Sequence, residues 1–255
     1  MTTIRPFRGL RPRPDVARDV ADIVLEDDDL EALIIALRDG RATYSNIRKS
    51  VHFFLSTNLS EIMVMFAAMA LGIGFPLNVM QLLWINIISD IFPGLALSME
   101  SPETDILEQP PRRADEPLIS SADFRRMAGE SALISASALL AYGYGIRRYG
   151  IGAAAGSLAF QSLTIGQLLH AWSCRSERHS VFQQGHERSS NPYLTLAVGG
   201  SMVVQLLTMF APSLRRFLGI SAMGLTDVAV AVGTAVLPFL ANEGIKTRSI
   251  QSDEK

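Results

Sequence analysis

Asn58 and Glu61 stand three residues apart in one apolar stretch, and Asn86, Ser89 and Asp90 stand at i, i+3 and i+4 in the next. Those spacings place each group on one face of a helix. A charged side chain at bilayer depth is expensive, roughly 2.5–3.5 kcal/mol on insertion scales, and such residues normally face a bundle interior where they meet a partner or an ion. Amide, hydroxyl and carboxylate oxygens are ligands for hard cations. The set suits Ca²⁺ or Mn²⁺ better than a soft metal, with Na⁺ or K⁺ as monovalent alternatives. Pro93 cannot donate to the carbonyl four residues back, that of Ser89, which releases a backbone oxygen inside the cluster. The competing reading is a set of interhelical hydrogen bonds that only holds helices together; the released carbonyl favours the cation site. Gln167, in a later apolar stretch, reads as a further oxygen ligand in preference to a packing amide.

Other polar residues have simpler readings. His170 is expected to hydrogen-bond at a helix interface rather than to ligate. Glu130 falls near the start of a helix, where a carboxylate offsets the N-terminal dipole. Glu243 and Lys246 are expected in the headgroup region, and Asp27, Asp28 and Asp29 to cap a helix rather than hold Mg²⁺. Arg112 and Arg113 read as loop anchors against anionic lipid or a cytoplasmic domain. The single cysteine, Cys174, excludes an internal disulfide and any Cys-rich metal site.

The elements that must position these groups are membrane helices. With 48% hydrophobic and 19% charged residues the chain is more apolar than a soluble domain, and its net charge of -2 gives no footprint for nucleic acid. Windows long enough to cross a bilayer fall at about 53–73, 79–99, 127–146, 152–172, 194–211 and 225–241. The expected fold is therefore an all-α integral membrane protein with six transmembrane helices and a short cytoplasmic N-terminal α/β remnant. Of 23 Lys and Arg residues, 19 lie in segments that would share one side with the N-terminus; only Arg147, Arg148, Arg215 and Arg216 lie on the other. Positive residues are retained inside, so both termini are expected in the cytoplasm and the protein in the plasma (inner) membrane. Residues 1–14, rich in Arg and Pro, read as a disordered leader without the apolar region of a signal peptide. Residues 15–40 read as the α/β remnant, with a strand at Asp22–Leu25 and a helix through Leu30, Leu33, Ile34 and Leu37. From Tyr44 a long helix is expected to run into the first span. Gly72, Gly74, Pro76 and Asn78 predict a tight turn, and Gly152 with Gly156 a close helix contact. Residues 41–246 thus make a stalk and six-helix domain, and 247–255 a cytoplasmic tail.

The segments DVARDVADIVLEDDDLEALIIALRDGRATYSNIRK (residues 15–49), LSTNLSEIMVMF (55–66), LLWINIISDIFPGLALSMESPE (82–103), DILEQPPRRADEPLIS (105–120) and FQSLTIGQLLHAWSCRSER (160–178) together resemble P-type cation-transporting ATPases. The resemblance is to calcium-pump-like type II members and covers about residues 15–246. It implies the end of a phosphorylation domain of the HAD-like class, the stalk, and membrane helices five to ten. Carried over by motif, Asn58, Glu61, Ser89, Asp90 and Gln167 match one cation site, while Asn86 and Asp90 belong with a second. Where calcium pumps of the reticulum type carry a carboxylate in helix eight, this chain has Gln167, which lowers the charge of the site.

Several parts of that family have no counterpart in the sequence: the phosphorylated Asp in DKTGT, the TGE loop, the nucleotide domain, the GDGxND segment and helices one to four. The expectation is a C-terminal pump module that holds part of a transport site, Ca²⁺ foremost, and has no ATPase activity alone. ATP and Mg²⁺ act only in a complete pump. Expected partners are the lipid bilayer and a separate chain carrying the remaining pump domains. The alternatives are a non-enzymatic cation-binding or scaffold subunit that complements a split pump, and a defunct fragment.

Overall fold

The computed structural model describes residues 30–102, 106–108, 110, 117–176 and 191–253. Every regular element among them is helical. The leader, the Asp22–Leu25 strand, the triple aspartate and the Arg112–Arg113 pair lie outside the described residues.

Helix α1, Leu30–Ala70, is unbroken for 41 residues. The helix runs through Gly40, which costs only about 1 kcal/mol relative to Ala inside a helix, and no proline intervenes. The chain then reverses through Gly72 (φ 66°) and Gly74 (φ 84°), left-handed positions that glycine takes without strain. Asn78 restarts it: its side chain accepts from the Gln81 N–H, and the Gln81 side chain accepts from the Asn78 N–H. Helix α2, Val79–Ile85, passes into a π-helical segment, Asn86–Ile91, and then into α3, Phe92–Ser98. Pro93 explains the widening. It has no N–H to return to Ser89, and the ladder loosens over the preceding turn instead of breaking.

The remaining elements are α4 (Ser121–Tyr149), α5 (Ala153–Ser173), α6 (Pro192–Phe210), a short α7 (Pro212–Leu218) and α8 (Leu225–Asp253). Among the described residues, four helical stretches are long and apolar enough to cross a membrane: Glu31–Ala70, Val79–Ser98, Pro192–Phe210 and Leu225–Thr247. Six were expected. The windows at 127–146 and 152–172 do form α4 and α5, but both helices are too polar to meet that standard. Many of their polar side chains, such as Ser131 and Ser135 of α4, lie inside the bundle. Of the 21 residues of α5, 17 are buried, including Gln161, Thr164, Gln167 and His170. Here the expectation from apolar windows is corrected by position: a helix enclosed by protein can carry hydrogen-bonding groups that a lipid-facing helix cannot.

Around α5 the core falls into packed clusters. Phe53 meets Leu97, Leu168 and Leu194; Val64 meets Ile85, Ile134 and Phe160. Outward positions are apolar as well, with Val79, Leu196 and Leu225 among the most exposed, an arrangement suited to contact with hydrocarbon. Serines join α4 to α1. Ser131 Oγ donates to the Ser56 carbonyl and Ser135 Oγ to the Ser60 carbonyl, each at 2.9 Å.

The close approach expected at Gly152 and Gly156 is carried by Gly156 and Gly145. A Cβ on Gly156 would lie 2.8 Å from the Pro76 carbonyl oxygen, and one on Gly145 only 2.6 Å from Ala155 Cα. Gly145→Val is therefore expected to push α4 from α5 and to cost about 1–3 kcal/mol. A thermal melt in detergent would test this; a melting temperature equal to wild type would show that the helices separate freely at this point.

Candidate functional site

Two helices bring most of the candidate ligands together and a third closes them from behind. On α1, Thr57 and Ser60 face inward at 0% exposure and Glu61 at 7%. On the π-helical segment Ser89 (0%) and Asp90 (3%) face the same interior. An i→i+5 turn rotates consecutive side chains less than an α-turn does, which lets these two adjacent residues both be buried.

Asn58 Nδ2 donates to Asp90 Oδ2 at 3.1 Å and to its own helix at the Phe54 carbonyl, 2.9 Å. This bond ties α1 to the π segment. From α5, Gln167 Nε2 reaches the Thr57 carbonyl, Ser60 Oγ and Glu61 Oε1, each at 3.2 Å. Glu61 and Asp90 are near enough to interact electrostatically. Asn86 stands apart: it is half-buried, and its Nδ2 donates to the Leu82 carbonyl at 2.8 Å on its own helix. The structure thus joins Asn58 to Asp90 and Gln167 to Glu61, buries Ser89 beside Asp90, and shows no hydrogen bond from Asn86 to the others.

Three oxygens of this group are buried with no hydrogen-bond partner among the described residues: Ser89 Oγ, Asp90 Oδ1 and Gln167 Oε1. Buried polar atoms are nearly always satisfied, so each requires a reason. All three are of the type that coordinates a hard cation. With Glu61, they would surround such a cation by two carboxylates, an amide oxygen and a hydroxyl. Asn58 is exposed on the α1 face it shares with Leu55, Ile62 and Phe66, so the cluster is closed by α5 and open on that side.

Sequence reasoning missed Thr57 and Ser60, although they lie on the turn that carries Asn58 and Glu61 and supply the acceptors that orient Gln167. Glu243 and Lys246, expected among headgroups, are instead buried at 0% and 5% and bonded to Ser173. His170 is buried; its Nε2 meets Cys174 Sγ one turn along its own helix and lies 3.6 Å from Glu130 Oε2 of α4.

Residues 74–248 match the family described as "Cation transporting ATPase, C-terminus". The chain is 33% identical over 236 residues to a calcium-transporting ATPase of Bacillus subtilis (strain 168), covering 92% of this chain and 26% of that protein. It is 31% identical over 220 residues to calcium-transporting ATPase 1 of Schizosaccharomyces pombe, with 86% and 24% covered. Against calcium-transporting ATPase type 2C member 1 of Mus musculus it is 29% identical over 232 residues, with 91% and 25% covered. The chain therefore spans about a quarter of the length of these relatives. Apolar helices and matched sequence agree: the protein belongs to the cation-transporting ATPase family, in which it corresponds to the C-terminal membrane region.

Proposed function

We propose that this chain is the C-terminal transmembrane module of a calcium-transporting P-type ATPase and that Asn58, Glu61, Asn86, Ser89, Asp90 and Gln167 hold part of the site for the transported ion. The observation that carries the reading is the junction of three elements through Asn58–Asp90 and Gln167–Glu61, with Ser89 Oγ, Asp90 Oδ1 and Gln167 Oε1 in the same group lacking a hydrogen-bond partner among the described residues. In this reading Ca²⁺ is the cargo. Two carboxylates offset its charge, while Gln167 holds Glu61 through Nε2 and keeps Oε1 available.

Helix α1 supplies the coupling. From Leu30 to Asn58 it runs about 40 Å without interruption, so a displacement at its N-terminal end reaches Asn58 and Glu61 as a rigid-body motion. Phosphorylation and nucleotide binding with Mg²⁺ belong, in this proposal, to residues outside these 255, on the same or a separate polypeptide. The excess of Lys and Arg in the segments on the side of the N-terminus supports both termini lying in the cytoplasm.

The test is a Ca²⁺ titration of the purified chain in detergent, read by thermal melting against a chelator control. Saturable binding to the folded state is expected to raise stability by about 2.7 kcal/mol at a hundredfold excess over Kd. A folded chain whose melting temperature ignores Ca²⁺, Mn²⁺, Na⁺ and K⁺ alike would end the cation-site reading and leave a scaffold role.

A further inference from the structure

A second cluster lies about 9 Å along α1 from Asn58, toward its N-terminal end. His52 of α1, Glu130 of α4, and His170 and Cys174 at the end of α5 meet there, each between 4% and 6% exposed. His52 Nε2 lies 2.5 Å from Glu130 Oε2, and His170 Nε2 lies 3.6 Å from the same oxygen. Cys174 Sγ is 3.3 Å from His170 Nε2, and the ligand atoms of His52, His170 and Cys174 all fall within 4.8 Å of one another. Arg126 Nε binds the other carboxylate oxygen, Glu130 Oε1, at 3.0 Å, which fixes the carboxylate with Oε2 turned to the imidazoles.

We propose that His52, Glu130, His170 and Cys174 form a second metal site, for a borderline-soft divalent cation of the zinc class, separate from the oxygen cluster and independent of the transport reading. The ligand types decide the metal: two imidazoles and a thiolate with one carboxylate suit Zn²⁺ or Co²⁺ and are poor for Ca²⁺. The geometry agrees. A tetrahedral ion with bonds of about 2.0–2.3 Å separates its ligand atoms by roughly 3–4 Å. The His170–Cys174 and His170–Glu130 distances already have that size, and the His52–Glu130 contact would lengthen by less than ~1 Å. On binding, the Cys174 S–H bond breaks, its proton passes to solvent, and the thiolate sulfur bonds the metal without any redox change. Arg126 acts as the outer partner of the carboxylate. An ion held here would fasten α1 to α4 and α5 beside the transport cluster.

The probe is Co²⁺ alone, added to the full chain purified in detergent without a histidine tag. Cys174 is the only cysteine, so a near-ultraviolet thiolate-to-cobalt charge-transfer band reports this sulfur and no other. The band is expected to saturate at one equivalent, to disappear on adding Zn²⁺, and to be absent in Cys174→Ser. His52→Ala and His170→Ala should each weaken Co²⁺ by about 100-fold. His179→Ala with His186→Ala should leave it unchanged. Asp90→Asn should also keep the band, which separates this site from the Ca²⁺ proposal whichever way that test falls. No band from the wild-type chain at stoichiometric Co²⁺, with helical circular dichroism intact, would overturn the site; so would a band that depends on His179 or His186.

Discussion

Asp90→Asn is expected to weaken Ca²⁺ binding by about 10- to 100-fold or more and to erase the Ca²⁺-dependent rise in melting temperature, while the ligand-free chain melts near wild type. Size and hydrogen bonding are conserved in this substitution. The new side-chain carbonyl can still accept from Asn58 Nδ2, as Asp90 Oδ2 does at 3.1 Å, so the junction of α1 with the π segment survives. What disappears is one of two buried negative charges, and charge count is a main determinant of affinity at an oxygen-ligand site. Outer-shell changes alone cost 10- to 100-fold at metal sites, and loss of an inner carboxylate should cost no less. Glu61→Gln should behave alike. Asn86→Ala should cost less, because Asn86 Nδ2 is already bonded to the Leu82 carbonyl and the residue is only half-buried. Equilibrium dialysis with Ca²⁺ beside the melts would decide the matter: an Asp90→Asn chain that is folded and binds Ca²⁺ as wild type does would remove Asp90 from the site.

Much of this arrangement is legible in the chain because its determinants are local. Runs of apolar residues mark the helices to within a few residues for 79–99, 152–172 and 194–211, observed as Val79–Ser98, Ala153–Ser173 and Pro192–Phe210. Asn78 with Gln81 announces a cap, and Gly72 and Gly74 a reversal. The spacing groups Asn86 with Ser89 and Asp90; Ser89 and Asp90 are both buried in the π-helical segment, while Asn86 is only half-buried. What is not legible depends on how helices are rotated against each other. Nothing near Gln167 in the sequence says that its amide meets Glu61, 106 residues away. Nor do the windows reveal that α5 is enclosed on nearly all sides, and so they count α4 and α5 with the lipid-facing helices. The passage of α1 through Gly40 was obscured for the opposite reason. A glycine is a good local stop signal, but over 41 residues of otherwise helical sequence one such residue is outweighed. The meeting of His52, Glu130, His170 and Cys174 is likewise tertiary: three helices contribute, and only His170 and Cys174 are neighbours at i, i+4.

Glu243→Ala is expected to be the most destabilising substitution at the end of the bundle where α5 meets α8, at about 3–5 kcal/mol, the usual cost of removing one partner of a buried ion pair. Glu243 Oε1 accepts from Ser173 Oγ and, at 3.1 Å, from Lys246 Nζ; Asn242 Nδ2 donates to Ser173 Oγ at 2.8 Å. Lys246 Nζ also donates to the carbonyls of Ser173 and Ser176. Without the carboxylate, the Lys246 ammonium, at 5% exposure, loses the charged oxygen now 3.1 Å from it. Carbonyl dipoles offset part of that penalty, which argues for the lower half of the range. Glu243→Gln keeps an acceptor for Ser173 and should lose less than Ala. Replacing both charges, Glu243→Leu with Lys246→Met, removes the buried ammonium together with the carboxylate and should recover stability relative to Glu243→Ala, since buried pairs exchanged for apolar residues are often neutral. Such a double-mutant cycle, run by thermal or denaturant unfolding in detergent, isolates the coupling between the two residues. A Glu243→Ala chain within about 1 kcal/mol of wild type, or a double variant no better than the single one, would show that Ser173 and its hydrogen bonds hold α8 to α5 and that the ion pair does not.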